Sequence, residues 1–152
     1  CQRNHKFQFK NHPAHVIEVE SICERIGIDL VLGLPETKEG YNGIMVITEY
    51  LTKYPFAKPI KSKNAEEIAF NFLEYISLFG PPKILLSDQG TEFNNAVIEK
   101  LTKALKIEHR ITSAYNPRTN GLTERFNQTL IESLRKHAET DKSNWNEWLP
   151  FV

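Results

Sequence analysis

The feature that most restricts the fold of this chain is a change in hydrophobic period near residue 61. Before it, three runs have strand character. In "ERIGIDLVLGLP", from Glu24, the side chains of Ile26, Ile28, Leu30 and Leu32 share one side, and Gly27, Asp29 and Val31 the other, until Gly33 and Pro35 end the run. "ETKEGYNG" is a turn, "IMVITEY" a second strand and "FAKPI" a short third, where Pro59 predicts an edge or a bulge. After it, helical stripes alternate with short apolar runs. Ile68, Phe72, Ile76 and Phe79 predict a helix with Asn64 as N-cap, Glu67 three residues on, and "GPP" as its stop. "KILLSD" is almost wholly apolar, as expected of a strand covered on both faces. Phe93, Val97, Leu101 and Leu105 mark a second helix and "KIEHRIT" a fifth strand. "SAYNPRTN" reads as a loop, Gly121 to about Ala138 as a third helix, and Trp145, Trp148 and Leu149 as the start of a fourth that the chain end cuts short. The order βββαβαβα implies an α/β fold: a five-stranded mixed sheet flanked by helices.

A chain of 152 residues with 40% apolar content holds one domain with a sizeable core. Residues 1–22 are polar and read as a linker, leaving residues 23–152 as the folded domain. No apolar run reaches the roughly 18 residues of a membrane span, so no membrane partner is expected. Cys1 and Cys23 give no disulfide framework. Net charge is zero, but residues 16–99 hold seven bases against thirteen acids, and residues 100–137 hold eight against three. A polyanion can dock on the basic half, although ordinary solvated faces would give the same tally.

Three carboxylates stand out. Aspartate occurs only at Asp29, Asp88 and Asp141. Asp29 lies inside an apolar strand, where an unpaired charge is costly. Asp88 ends another such strand before a glycine turn, the end of a sheet where ligands bind. Glu124 faces away from the stripe of Leu122, Phe126, Leu130 and Leu134 when its helix is turned at about 100° per residue. It shares its side with Asn127, Gln128, Ile131 and Arg135. Each acid alone also admits a plain structural role. Asp29 could pair with a buried base, Asp88 could cap the helix near Thr91, and Glu124 could be a solvated acid beside Arg125 or Gln128. Converging at a sheet edge, the three could hold two Mg²⁺ ions through hard oxygen ligands. Two such ions about 3.5–4 Å apart activate an attacking oxygen and stabilise a leaving one in phosphoryl transfer. Zinc is the weaker choice, since no His or Cys accompanies the acids.

The local words "GIDLV", "LLSDQGTEF", "TSAYNPRTNGLTERFNQTL" and "NWNEWLP" occur in that order. From about Glu24 to the end they resemble the catalytic core of retroviral and gypsy-type LTR-retrotransposon integrases, members of the DDE polynucleotidyl transferases. The resemblance implies a ribonuclease H-like fold. It implies an enzyme that first removes nucleotides next to the 3′ end of element DNA, then joins the new 3′-hydroxyl to target DNA. It implies Asp29, Asp88 and Glu124 as catalytic metal ligands for two Mg²⁺ ions, with Mn²⁺ as substitute. Tyr115, Asn116, Arg118, Asn120, Gly121, Asn127, Gln128 and Arg135 are the expected DNA contacts, with "TNG" a mobile loop that Gly121 lets turn into the helix. A homodimer or higher oligomer is expected, with helices of the second half as a candidate contact, and a nuclear site of action. Whether a host chromatin factor takes part, the residues do not say.

Some features depart from the pattern. Many gypsy-type elements have His where Asn116 stands, and Ile131 and Arg135 on the active face match no specific DNA-end contact. Cys1 looks like the last ligand of the His-His-Cys-Cys zinc domain that precedes such cores, so residues 1–22 are read as a linker after a truncated zinc domain. A site from His5, His12 and Cys23 is the alternative to a plain linker. Other functions stay open at this point: a domesticated descendant that binds DNA or protein without chemistry, or a DDE transposase or ribonuclease H-like nuclease.

Overall fold

The computed structural model describes residues 19–112, 117–138 and 142–152, with the side chains of 117–124 and 142 outside the description. Of the alternative zinc site from His5, His12 and Cys23, both histidines lie outside the described residues, as does Cys1. Cys23 is a free thiol whose Sγ donates to the Phe79 carbonyl at 3.4 Å.

Five strands form one mixed sheet in the order β3-β2-β1-β4-β5. β1 (Arg25–Leu32), β2 (Gly43–Glu49) and β3 (Pro55–Ile60) are an antiparallel meander, while β4 (Ile84–Ser87) joins β1 and β5 (Glu108–Ile111) joins β4 in parallel. β3 is an edge strand, which accommodates Pro59 because its missing N–H faces no neighbour. β2 is buried along its whole length, as a strand covered on both faces must be.

The helices α1 (Ala65–Phe79) and α2 (Ala96–Ala104) cover one face, where Ile26, Ile28, Met45, Ile47, Phe72 and Ile98 form a core. α3 (Pro117–His137) and the short α4 (Trp145–Trp148), between 3-10 turns at Lys142–Asn144 and Leu149–Phe151, cover the other. There Val31, Ile44 and Val46 meet Leu130, Leu134 and Trp145. The alternation in β1 thus sends Ile26, Ile28 and Leu30 to one core and Val31 to the other, beside Asp29, while Leu32 at the strand end is exposed. Among the described residues no helix is long and apolar enough to cross a membrane.

Three local expectations need correction. Asn64 precedes α1 but its side chain caps nothing; Glu67 instead accepts from the Lys61 and Ser62 amides at 2.8 and 2.9 Å and from Ser62 Oγ at 2.7 Å. Those donors tie the β3–α1 loop to the first turn, so Glu67 is not free to close a capping box. The buried stripe of α1 is Ile68, Phe72 and Tyr75, and Phe79 is 41% exposed. Gly80 then ends the helix at φ 85°, a conformation that glycine adopts without a Cβ clash.

The third correction concerns the segment before Glu124. α3 begins at Pro117, so Arg118, Thr119, Asn120 and Gly121 are helical and "TNG" is not a loop. Proline fits the first helical position, where its φ is preset and its missing N–H has no helical acceptor to lose. Gly121 sits in the second turn of α3, so it does not serve as the hinge into the helix.

Candidate active site at the carboxyl ends of β1 and β4

Two adjacent parallel strands frame the site. Gly27 of β1 lies level with Leu86 of β4. The same register carried two residues further sets Asp88, the first residue past β4, level with Asp29. Asp29 is half-buried, pairs across β2 with Val46, and accepts the Leu30 amide on Oδ1 at 2.9 Å. Asp88 is exposed, and its Oδ1 accepts the Gly90 amide at 2.9 Å. A helix-capping role for Asp88 is ruled out, because Asn95 caps α2 with Oδ1 accepting from Val97 and Ile98, both at 3.0 Å. A Cβ at Gly90 would lie 2.7 Å from Glu92 Oε1 and 2.9 Å from Asp88 Oδ1, so both side-chain ends crowd this turn. Glu92 is thus a further carboxylate beside Asp88, which its ordinary setting in the sequence did not reveal.

α3 brings the third element over Asp29. Asn127 Nδ2 donates to Asp29 Oδ2 at 2.7 Å, across 98 residues of chain. Asn127 is only 9% exposed, and its amide holds Asp29 within the site. Position 124 lies one turn nearer the helix N-terminus on this side of α3, since residues three apart are neighbours on a helix surface. The side chain of Glu124 lies outside the described residues.

The donor set suits a hard divalent cation. Asp29 within β1 and Asp88 just past β4 offer carboxylate oxygens on neighbouring parallel strands, and Asn127 Oδ1 is buried without a hydrogen-bond partner. A buried amide oxygen is stable only with a partner, and metal-bound water or the cation itself would supply one. Among the described residues no three His, Cys, Asp or Glu side chains form a complete ligand set, so the pair needs a further donor. Position 124 is where α3 can provide it.

The neighbouring strand steadies Asp88. The Ser87 carbonyl accepts the Thr112 amide at 2.7 Å and Thr112 Oγ1 at 3.0 Å. Ser87 Oγ donates to the Asp88 carbonyl at 2.9 Å and lies 2.8 Å from His109 Nε2. Burial pushes the His109 imidazole below its ordinary pKa.

The other expected DNA contacts fall in three groups. Tyr115 and Asn116 lie outside the described residues. Arg118, Asn120 and Gly121 lie on the first turns of α3. Gln128 and Arg135 are exposed on α3, and Arg135 borders a cavity of about 550 Å³ with Ile131, Leu34 and Trp145.

Residues 16–117 match the family model described as integrase core domain. This chain belongs to that family. It is 35% identical over 133 residues, 87% of its length, to the retrovirus-related Pol polyprotein from transposon 412 of Drosophila melanogaster. It spans 11% of that polyprotein. Its fold is that of the integrase catalytic core from HTLV-2, solved with magnesium in a trimeric form, at TM-score 0.66, 21% identity and coverage of 84% of this chain and 82% of that one. A structure of the simian T-cell lymphotropic virus intasome with PP2A regulatory subunit B56 gamma gives TM-score 0.70 at 21% identity, covering 91% of this chain and 54% of that one. The integrase core here is therefore a ribonuclease H-like domain of retroelement type. The match to the family model ends at residue 117, before Glu124.

Proposed function

We propose that this integrase core catalyses DNA 3′-end processing and strand transfer, inserting retroelement DNA into a target. The observation that carries the reading is the level placement of Asp29 and Asp88 on parallel strands, with α3 tied to Asp29 through Asn127. Asp29, Asp88 and Glu124 would hold two Mg²⁺ ions, which Mn²⁺ can replace. When bound, such a pair polarises the scissile phosphate and lowers the pKa of the attacking hydroxyl or water. Asn127 orients Asp29 by donating to Oδ2, while the Leu30 amide donates to Oδ1. The Gly90 amide does the same for Asp88. Exposed Gln128 and Arg135 give α3 a polar side for element-end and target DNA, and Arg118 and Asn120 on its first turns would add contacts there.

The magnesium-bound and intasome relatives support this metal and this substrate class. Their trimeric and assembled forms support action as a homo-oligomer. In this chain the exposed apolar residues Phe70 and Leu78, at 70% and 64%, put a candidate contact on α1 as well as on the second-half helices. The proposed place of action is host chromosomal DNA in the nucleus.

Strand transfer by the full-length integrase containing this chain, in Mg²⁺, tests the reading with wild type against Glu124→Gln. Wild type joins DNA and the variant does not. Equal joining by both would refute the ligand assignment, and joining by neither would favour a binding module without chemistry.

A further inference from the structure

We propose that His109 is a positioning residue for Asp88, acting through the hydroxyl of Ser87. The inference rests on the reading of Asp88 as a metal ligand. Ser87 Oγ carries one hydrogen, and the Asp88 carbonyl 2.9 Å away accepts it. With that hydrogen given to Asp88, the 2.8 Å contact to His109 Nε2 is made by the tautomer protonated at Nε2, the imidazole N–H donating to Oγ. The result is a chain from Nε2–H through the Ser87 hydroxyl to the backbone of Asp88. Ser87 is 3% exposed, so its hydroxyl has no water to replace either partner.

The geometry around this chain leaves it one task. Thr112 holds the Ser87 carbonyl through two donors, which fixes β4 against β5 as far as residue 87. The Gly90 amide fixes one carboxylate oxygen of Asp88 from the far side. Between these two anchors stands the Asp88 peptide, whose carbonyl faces Ser87 Oγ. Setting that peptide plane sets the direction in which the Cα of Asp88 projects its carboxylate. His109 arrives from β5, where it lies level with Leu85, two residues before Ser87. An edge strand that contributes no expected metal ligand thereby contributes to the metal site.

A Mn²⁺ titration of this chain, followed by the electron paramagnetic resonance of the free ion, tests the proposal on His109→Leu, His109→Gln, Ser87→Ala and Asp88→Asn, each with its melting temperature. Loss of an orienting group typically weakens metal binding about tenfold or more. His109→Leu and Ser87→Ala are expected to raise the half-saturating Mn²⁺ concentration by about tenfold. Glutamine places an amide N–H near the position of Nε2, so His109→Gln is expected to stay within about twofold of wild type. In strand transfer by the full-length integrase, the His109→Leu loss falls on kcat at a given Mg²⁺ and spares KM for DNA.

Wild-type Mn²⁺ binding by His109→Leu, with binding lost in Asp88→Asn, would overturn the proposal and leave the metal-site reading standing. Weak binding in His109→Leu that glutamine fails to restore would also overturn it, marking a packing role. Wild-type binding by Asp88→Asn would instead refute the reading of Asp88 itself. Should His109→Leu not fold, Ser87→Ala removes the relay by deleting one oxygen and decides the matter.

Discussion

Replacing Asn127 by leucine separates what holds the fold from what prepares the site. The 2.7 Å bond from Nδ2 goes to the Asp29 carboxylate. A hydrogen bond to a charged group contributes about 1.5–3 kcal/mol. The same side chain buries an Oδ1 with no partner, which costs about 1–3 kcal/mol. Leucine keeps the volume and deletes both terms, which oppose each other. The net change in unfolding free energy without metal is therefore within about 2 kcal/mol, or several degrees at roughly 2–4 °C per kcal/mol for a domain of this size. Metal linkage has no such offset. A ligand that loses its orienting group binds metal about tenfold more weakly. At saturating metal each tenfold removes about 1.4 kcal/mol of metal-linked stabilisation. Calorimetric melting in EDTA and then across a Mg²⁺ series reads both quantities. Asn127→Leu is expected to melt near wild type in EDTA and to need about tenfold more Mg²⁺ for the same upward shift. A loss of more than about 3 kcal/mol in EDTA with an unchanged Mg²⁺ response would refute the reasoning and make Asn127 a structural residue only.

Three further outcomes follow from local geometry. Gly90→Ala makes the Asp88 and Glu92 carboxylates move off the new methyl, so metal binding measured by titration falls while stability in denaturant unfolding stays within about 1 kcal/mol of wild type. Asn95→Ala removes the α2 cap and costs about 1 kcal/mol in denaturant unfolding, with Mn²⁺ affinity unchanged. Glu49 is buried; desolvation raises its pKa, but bonds from the Thr52 hydroxyl and the Thr52 and Leu51 amides outweigh that and hold it below the ordinary value of 4.5. A depressed carboxylate stabilises the fold above its unfolded pKa and loses that contribution as pH falls through the folded one. Glu49→Gln is therefore expected to flatten the acid limb of a stability-versus-pH curve below about pH 4.5 relative to wild type.

Much of this fold was legible because its signals are local and strong. The alternation in β1 placed Asp29 on the face opposite Ile26 and Ile28, and the apolar run of β4 placed Asp88 at a strand end. Both positions hold in the sheet. What escaped was set by tertiary contacts or by residues with two local meanings. Pro117 beside Asn116, Asn120 and Gly121 reads as a loop, yet proline also opens helices, and α3 starts there. Asn64 and Glu67 have the spacing of a capping box, but Lys61 and Ser62 compete successfully for the Glu67 carboxylate. The side of Asn127 looked like a solvent face because only the packing of α3 on β1 shows Asp29 waiting beneath it. Glu92 and the Ser87–His109 contact depend on a turn and on a strand pairing that no spacing in the sequence reports.

The central claim is that Asp29, Asp88 and Glu124 hold divalent metal at one site. The most direct measurement is anomalous diffraction from a crystal of this chain soaked in Mn²⁺. The account predicts a peak bound by Asp29 and Asp88 together, with Glu124 in contact with the same metal centre. Mn²⁺ bound elsewhere on the chain, with none bridging Asp29 and Asp88, would contradict it.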